Sequence, residues 1–128
     1  MSAKSNYLEL KVLDHFLGTA STSAPSNVYL ALHTADPTDA GSGAEVSGNG
    51  YSRQVITFAA ASSGSASSNT AEEFTASGGA FGTITHFGIW DASTSGNLLY
   101  HGALTASKTI ADGDTLRFAS GNITITEA

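Results

Sequence analysis

The chain has 128 residues, enough to bury a core without disulfide or metal support, and 41% of them are hydrophobic. Only 12% are charged, about half the usual share of roughly 25%, so little charge keeps the surface wet, which favours a protein partly hidden in an assembly. The net charge of −6 sets 11 acids against Lys4, Lys11, Arg53, Lys108 and Arg117, scattered without a basic cluster, so nucleic acid and anionic membranes are not expected partners; the absence of cysteine excludes disulfides and thiol chemistry.

The first stretch, MSAKSNYLELK, lacks the apolar core of a secretion signal, and no run approaches a membrane span, so the expectation is a soluble chain made in the cytoplasm. Residues 6–17 read as the one convincing helix. Asn6 with Glu9 three residues later has the form of a capping box, and Gly18 suits the position past the end. Leu8, Leu10, Val12, Leu13, Phe16 and Leu17 sweep a wide apolar arc, which predicts burial against more than one surface. A polar linker ending near Pro25 follows, and then a strand over 28–34. Residues 35–50 carry Asp36-Pro37 and four glycines and read as a long surface loop.

Alternation resumes over 51–58, and residues 59–69 are a low-complexity Ala/Ser/Gly connection. A short strand is expected over 70–75. The organising stretch is 82–104, GTITHFGIWDASTSGNLLYHGAL, in which strands over 83–91 and 97–105 flank a turn-rich segment. A turn centred on Thr94-Ser95 sets Trp90 opposite Leu99 and His86 opposite Ala103. Phe87, Ile89, Leu98, Tyr100 and Leu104 then share the core face, while Ile84, His86, Trp90, Leu99 and His101 lie on the other, itself too apolar to be left in water. Strands over 115–118 and 123–126 close the chain and invite pairing as a second hairpin. The pattern implies a mainly β fold in a single domain over 1–128, a β-sandwich or jelly-roll-like barrel of about 6–8 antiparallel strands with one N-terminal helix.

Chemistry is sparse. His86 and His101 could begin a metal site, but no third ligand is evident, and hydrogen-bonded histidines at a packed or intersubunit surface are the better reading. Asp36, Asp39 and Glu45 miss the spacing of a calcium loop. The run from Gly102 to Thr109 approaches a phosphate loop but has Ser107 where the second glycine belongs. No nucleophile elbow is present, and neither cofactor nor catalytic residue is expected. Trp90 and Tyr100 could stack on a sugar ring, yet they fall on different faces in this register.

Asn6-Tyr7-Leu8-Glu9, Leu13-Asp14-His15, Val28-Tyr29-Leu30-Ala31-Leu32, the run from Thr34 to Gly41, Glu45-Val46-Ser47-Gly48 and Gly50-Tyr51-Ser52-Arg53-Gln54 together resemble a family of small tailed-bacteriophage virion proteins. Thr85-His86-Phe87-Gly88-Ile89, Gly96-Asn97-Leu98-Leu99 and Gly113-Asp114 continue the match. Such proteins are commonly labelled tail-fibre or minor structural proteins. The resemblance implies a non-enzymatic virion component. A compact chain without a shaft tilts the expectation toward a capsid-surface decoration or cement role, with a tail or tail-fibre component as the alternative. The expected partners are further copies of the chain, most plausibly as a trimer, and other virion proteins such as the major capsid protein or tail proteins. Leu8, Val12, Ile84, His86, Trp90, Leu99 and His101 are the expected interface, with Trp90 its anchor. A rival reading is a host-glycan-binding module using Trp90, Tyr51 and the 35–50 loop.

Overall fold

A computed structural model describes residues 2–127. Among them are nine strands, all paired antiparallel, and one helix: β1 (Ser2–Lys4), α1 (Asn6–Phe16), β2 (Val28–His33), β3 (Gln54–Ile56), β4 (Ser65–Ser67), β5 (Glu72–Thr75), β6 (Gly82–Trp90), β7 (Leu98–Ile110), β8 (Thr115–Phe118) and β9 (Thr124–Thr126). The fold is thus mainly β. A five-stranded sheet runs β1-β7-β6-β2-β3, and two ribbons, β4-β9 and β5-β8, contribute to the same apolar core.

Alternation explains which face is buried where. Leu30 opposes Ile89 and Leu32 opposes Phe87 across β2 and β6. These four side chains therefore stand on one side of the sheet, where they meet Phe74, Leu116, Phe118 and Ile125 from the ribbons. Tyr51 stacks on Phe74 at 5.9 Å between ring centroids, and Phe118 meets the Phe74 edge at 6.3 Å. The ribbons are not the hairpin expected at the end of the chain. The Ser120–Asn122 turn sends β9 away from β8 to pair with β4, inside the stretch expected to be a featureless connection. Small side chains make that pairing close: Ser67 Oγ and Thr124 Oγ1 lie 2.9 Å apart. Likewise, most of the strand expected over 51–58 is absent, and only Gln54–Ile56 joins the sheet.

The central hairpin holds its expected register from His86 to Ile89, His86 opposing Ala103 and Ile89 opposing Tyr100. Two irregularities flank it. Trp90 opposes Leu98 rather than Leu99, leaving Leu99 as the extra residue of a bulge. Leu98 therefore leaves the expected core face and clusters with Trp90 and Ala31 on the far side. A larger shift between Ile84 and His86 turns Ile84 inward, fully buried in the main core and off the face assigned to it from strict alternation.

The helix starts one residue earlier in its capping than the sequence suggests. Ser5, not Asn6, is the N-cap: its Oγ accepts from the Leu8 N–H at 3.2 Å and donates to the Leu98 carbonyl, tying α1 to β7. Asn6 instead donates its backbone N–H to the Asp39 carbonyl.

Two sets of substitutions check this packing by urea denaturation. Phe87→Ala is expected to cost roughly 3–5 kcal/mol and Ile84→Ala about 2–5 kcal/mol through lost burial and residual cavity; a loss below about 1 kcal/mol at Ile84 would restore it to the outer face. Ser5→Ala should cost about 1–3 kcal/mol, since a cap and a buried donor are both removed, whereas Asn6→Ala should change stability by no more than about 0.5 kcal/mol.

Candidate functional site

The second face of the sheet carries most of the chain's polar chemistry. Pairing places Ala31, Gly88 and His101 in one row across three strands, His33, His86 and Ala103 in the next, and Tyr29, Trp90 and Leu98 in a third. Residues 34–50 fold back over this face as a strap. Thr34 N–H donates to the Ala44 carbonyl, Val46 N–H to the Leu32 carbonyl, and His33 Nδ1 lies 3.2 Å from the Gly43 carbonyl. At the other end of the strap, His101 meets two carboxylates, Nε2 at 2.8 Å from Asp39 Oδ1 and Nδ1 at 3.4 Å from Asp36 Oδ1.

One guanidinium locks the strap shut. Arg53 grips Glu45 with two parallel bonds, Nε to Oε2 and Nη2 to Oε1, each 2.8 Å. Its Nη1 donates to the Ala92 and Ser95 carbonyls at 2.9 and 2.8 Å, and its plane covers the Trp90 indole at 4.1 Å. Tyr51 completes the set, accepting from the Leu32 N–H and donating to Glu45 Oε2 at 2.6 Å. Burial alone would raise the Glu45 carboxyl, but hydrogen bonds from Arg53 and Tyr51, with the Arg53 charge, hold it below the usual carboxylate range. Burial and the Glu45 acceptor push the Tyr51 phenol up.

Two glycines make this closure fit. A side chain at Gly88 would come within 2.8 Å of Trp90 Nε1 and 2.9 Å of His33 Nε2. Gly41, at a φ of +70°, brings the strap against Leu98 and Trp90 where a Cβ would lie 3.1 Å from the Leu98 Cβ.

These contacts correct the expected interface. Trp90 is only 8% exposed and Leu99 and His101 are buried, covered by the strap and helix of the same chain, while Ile84 lies in the core. Trp90 is therefore not an open anchor for a partner, and neither it nor Tyr51 is free to stack on a sugar. Leu8 and Val12 are half-buried on the inner side of α1, and His86 is half-buried beside Thr85. The histidines do not converge as ligands. His86 Nδ1 engages Thr85 Oγ1 at 2.8 Å, and His101 is committed to Asp36 and Asp39. The three acids of the loop each serve a base of this chain, which is the role that spacing alone did not reveal.

Sequence reasoning missed the outer face of α1. Leu10, Leu13, Phe16 and Leu17 are 63, 53, 76 and 73% exposed, and α1 contains no fully buried residue. Of the apolar arc only Leu8 and Val12 are half-buried in their own chain, so the expected burial of the helix against more than one surface is not met within it. The arc was visible in the sequence, but which half of it met the sheet was not.

His33 supplies a pH test. Desolvation by burial lowers its pKa from 6.5, outweighing the Gly43 carbonyl and Glu45, which raise it, while Arg53 and His86 lower it further. The unfolded chain thus takes up a proton below about pH 6.5 that the native chain resists, so this contribution to stability is fully present above pH 6.5 and is lost as pH falls toward the native value. His33→Gln should flatten the fall in urea midpoint between pH 7.5 and pH 5.5; an equally steep fall in the variant would place the titrating group elsewhere.

No curated protein matches the chain. A family model described as Podophage GP4 fiber I protein gp80 matches residues 3–126, nearly the whole length. The chain belongs to this family of podophage fibre proteins, a family of phage virion structural proteins.

Proposed function

We propose that the protein is a non-enzymatic subunit of the phage fibre apparatus that works as a homo-oligomer, its copies joined through α1. The observation that carries this reading is the exposed stripe of Leu10, Leu13, Phe16 and Leu17. Leu10, Leu13 and Leu17 are spaced three and four apart, as in a helical seam that packs against a like helix. With Phe16 the stripe spans about 120° of the helix at roughly 100° per residue, wider than a two-helix seam needs and suited to a helix with a neighbour on each side. A closed ring of three is the smallest arrangement that provides this.

The family description favours the fibre. The strapped polar residues support the absence of catalysis, since Arg53, Glu45, Tyr51, His101, Asp36 and Asp39 are all engaged in holding the chain together. A second reading, a capsid-surface decoration subunit, draws on the compact two-layer body, which has no shaft; either position would put the subunit in contact with other virion proteins.

Sedimentation velocity on the wild type and on a Leu13→Ser, Phe16→Ser double variant tests the association. The wild type should sediment as a trimer, and the variant as a monomer with an unchanged circular dichroism spectrum. A wild type that remains monomeric at its solubility limit would sink the oligomer. Immunogold labelling of purified virions should mark the fibres; label over the capsid shell would favour decoration.

A further inference from the structure

We infer that a water molecule is bound beneath the strap, between the Trp90 indole N–H and His33 Nε2, over the bare backbone of Gly88. Trp90 Nε1 and His33 Nε2 are buried and have no hydrogen-bond partner among the described residues. The two residues are 8% and 1% exposed, so neither nitrogen reaches bulk solvent. Buried polar side-chain atoms are in the large majority paired, with protein or with ordered water.

The sheet register brings the two nitrogens to one place. Alternation puts Gly88 and Trp90 of β6 on the strapped face, and His33 of β2 beside them, opposite His86. A Cβ at Gly88 would stand 2.8 Å from Trp90 Nε1, 2.9 Å from His33 Nε2 and 3.1 Å from Leu98 Cδ1. Both nitrogens therefore border the volume that the missing side chain leaves, and Leu98 walls it. The His33 and Trp90 rings run nearly parallel, with 14° between planes, and their nitrogens make no bond to each other. From outside, the Gly43 carbonyl holds His33 and the Arg53 guanidinium covers Trp90. The site lies within one chain and is independent of association through α1.

The protonation pattern identifies the occupant. A carbonyl only accepts, so the His33 Nδ1 that faces Gly43 at 3.2 Å carries the ring proton, and the neutral ring presents Nε2 as a lone pair. The indole N–H only donates. An occupant must accept from one nitrogen and donate to the other, in a space no larger than a missing side chain. Water does both. A monatomic anion has no proton for Nε2, a metal ion finds no lone pair on the indole nitrogen, and an apolar group leaves both atoms unpaired. A protonated His33 would set two donors against each other across the same space, in keeping with the lowered pKa of that ring. The water thus ties β2 to β6 where no side chain does.

Nuclear magnetic resonance on the intact, isotope-labelled protein at pH 7.5 tests the site, because the one tryptophan gives one indole N–H signal. That signal should show a water cross-peak of opposite sign in NOE and ROE spectra, as a bound molecule gives, whereas proton exchange with solvent gives equal signs. The His33 nitrogens should read as a protonated Nδ1 and a bare Nε2. Exchanging chloride for bromide should leave the indole signal unmoved. His33→Phe keeps a ring in place, removes the acceptor and should abolish the cross-peak; if that variant folds poorly, the wild-type spectra decide alone. A wild-type indole with no water cross-peak or one of equal signs, a proton on His33 Nε2, or an indole shift that follows the halide would each overturn the assignment.

Discussion

The closure of the second sheet face rests on the Arg53 guanidinium. Four of its five N–H donors are distributed over Glu45 of the strap and the Ala92 and Ser95 carbonyls of the hairpin turn, while its flat face covers Trp90. No other side-chain type offers that planar fork together with a stacking surface. A lysine would keep the charge but give up the parallel pair and the stack. The Arg53 side chain is only 6% exposed, so its loss would leave Glu45 beside Tyr51 without its counter-charge and three acceptors without a donor. The arrangement joins three parts of the chain that share no sheet pairing: the strap, the approach to β3, and the β6–β7 turn.

Much of this was legible in the sequence where a single local period governs. The helix over 6–17 and the strand over 28–34 follow their patterns closely, and the hairpin register from His86 to Ile89 follows from strict alternation on both strands. The family resemblance was likewise readable from ordered residue runs. What escaped depends on non-local geometry. Ser5 displaced Asn6 as the cap because its hydroxyl serves the helix and the Leu98 carbonyl together, and Leu98 is 93 residues away. Ser65–Ser67 showed no apolar alternation because its partner strand, not its own side chains, determines that it is extended. The irregularity that sets residues 104–107 of β7 against Thr85 alone, and the bulge at Leu99, moved Ile84 and Leu98 across the sheet, and a period of two has no means of announcing its own interruption.

The candidate sites divide in the same way. Residue types had drawn attention to Trp90, His101 and the acids of the loop, and all of them prove to be occupied within the chain. Their chemistry is spent on holding the strap, whereas the leucines and phenylalanine of the outer helical stripe, which looked ordinary, stay exposed. A glycine-rich segment that reads as a loose loop can be a tightly bonded cover when its carbonyls and acids meet histidines and an arginine.

The outermost strands of the five-stranded sheet, β1 and β3, are each three residues long. Because β1 pairs only with Tyr100, His101 and Gly102, β7 from Ala103 to Ile110 is bordered by β6 alone among the described residues, and its exposed Lys108 is the kind of charge that discourages strand addition along such an edge. A lone charge on the open border of a charge-poor protein therefore counts for more than its share of the sequence, since it stands where the strand of another chain would otherwise add.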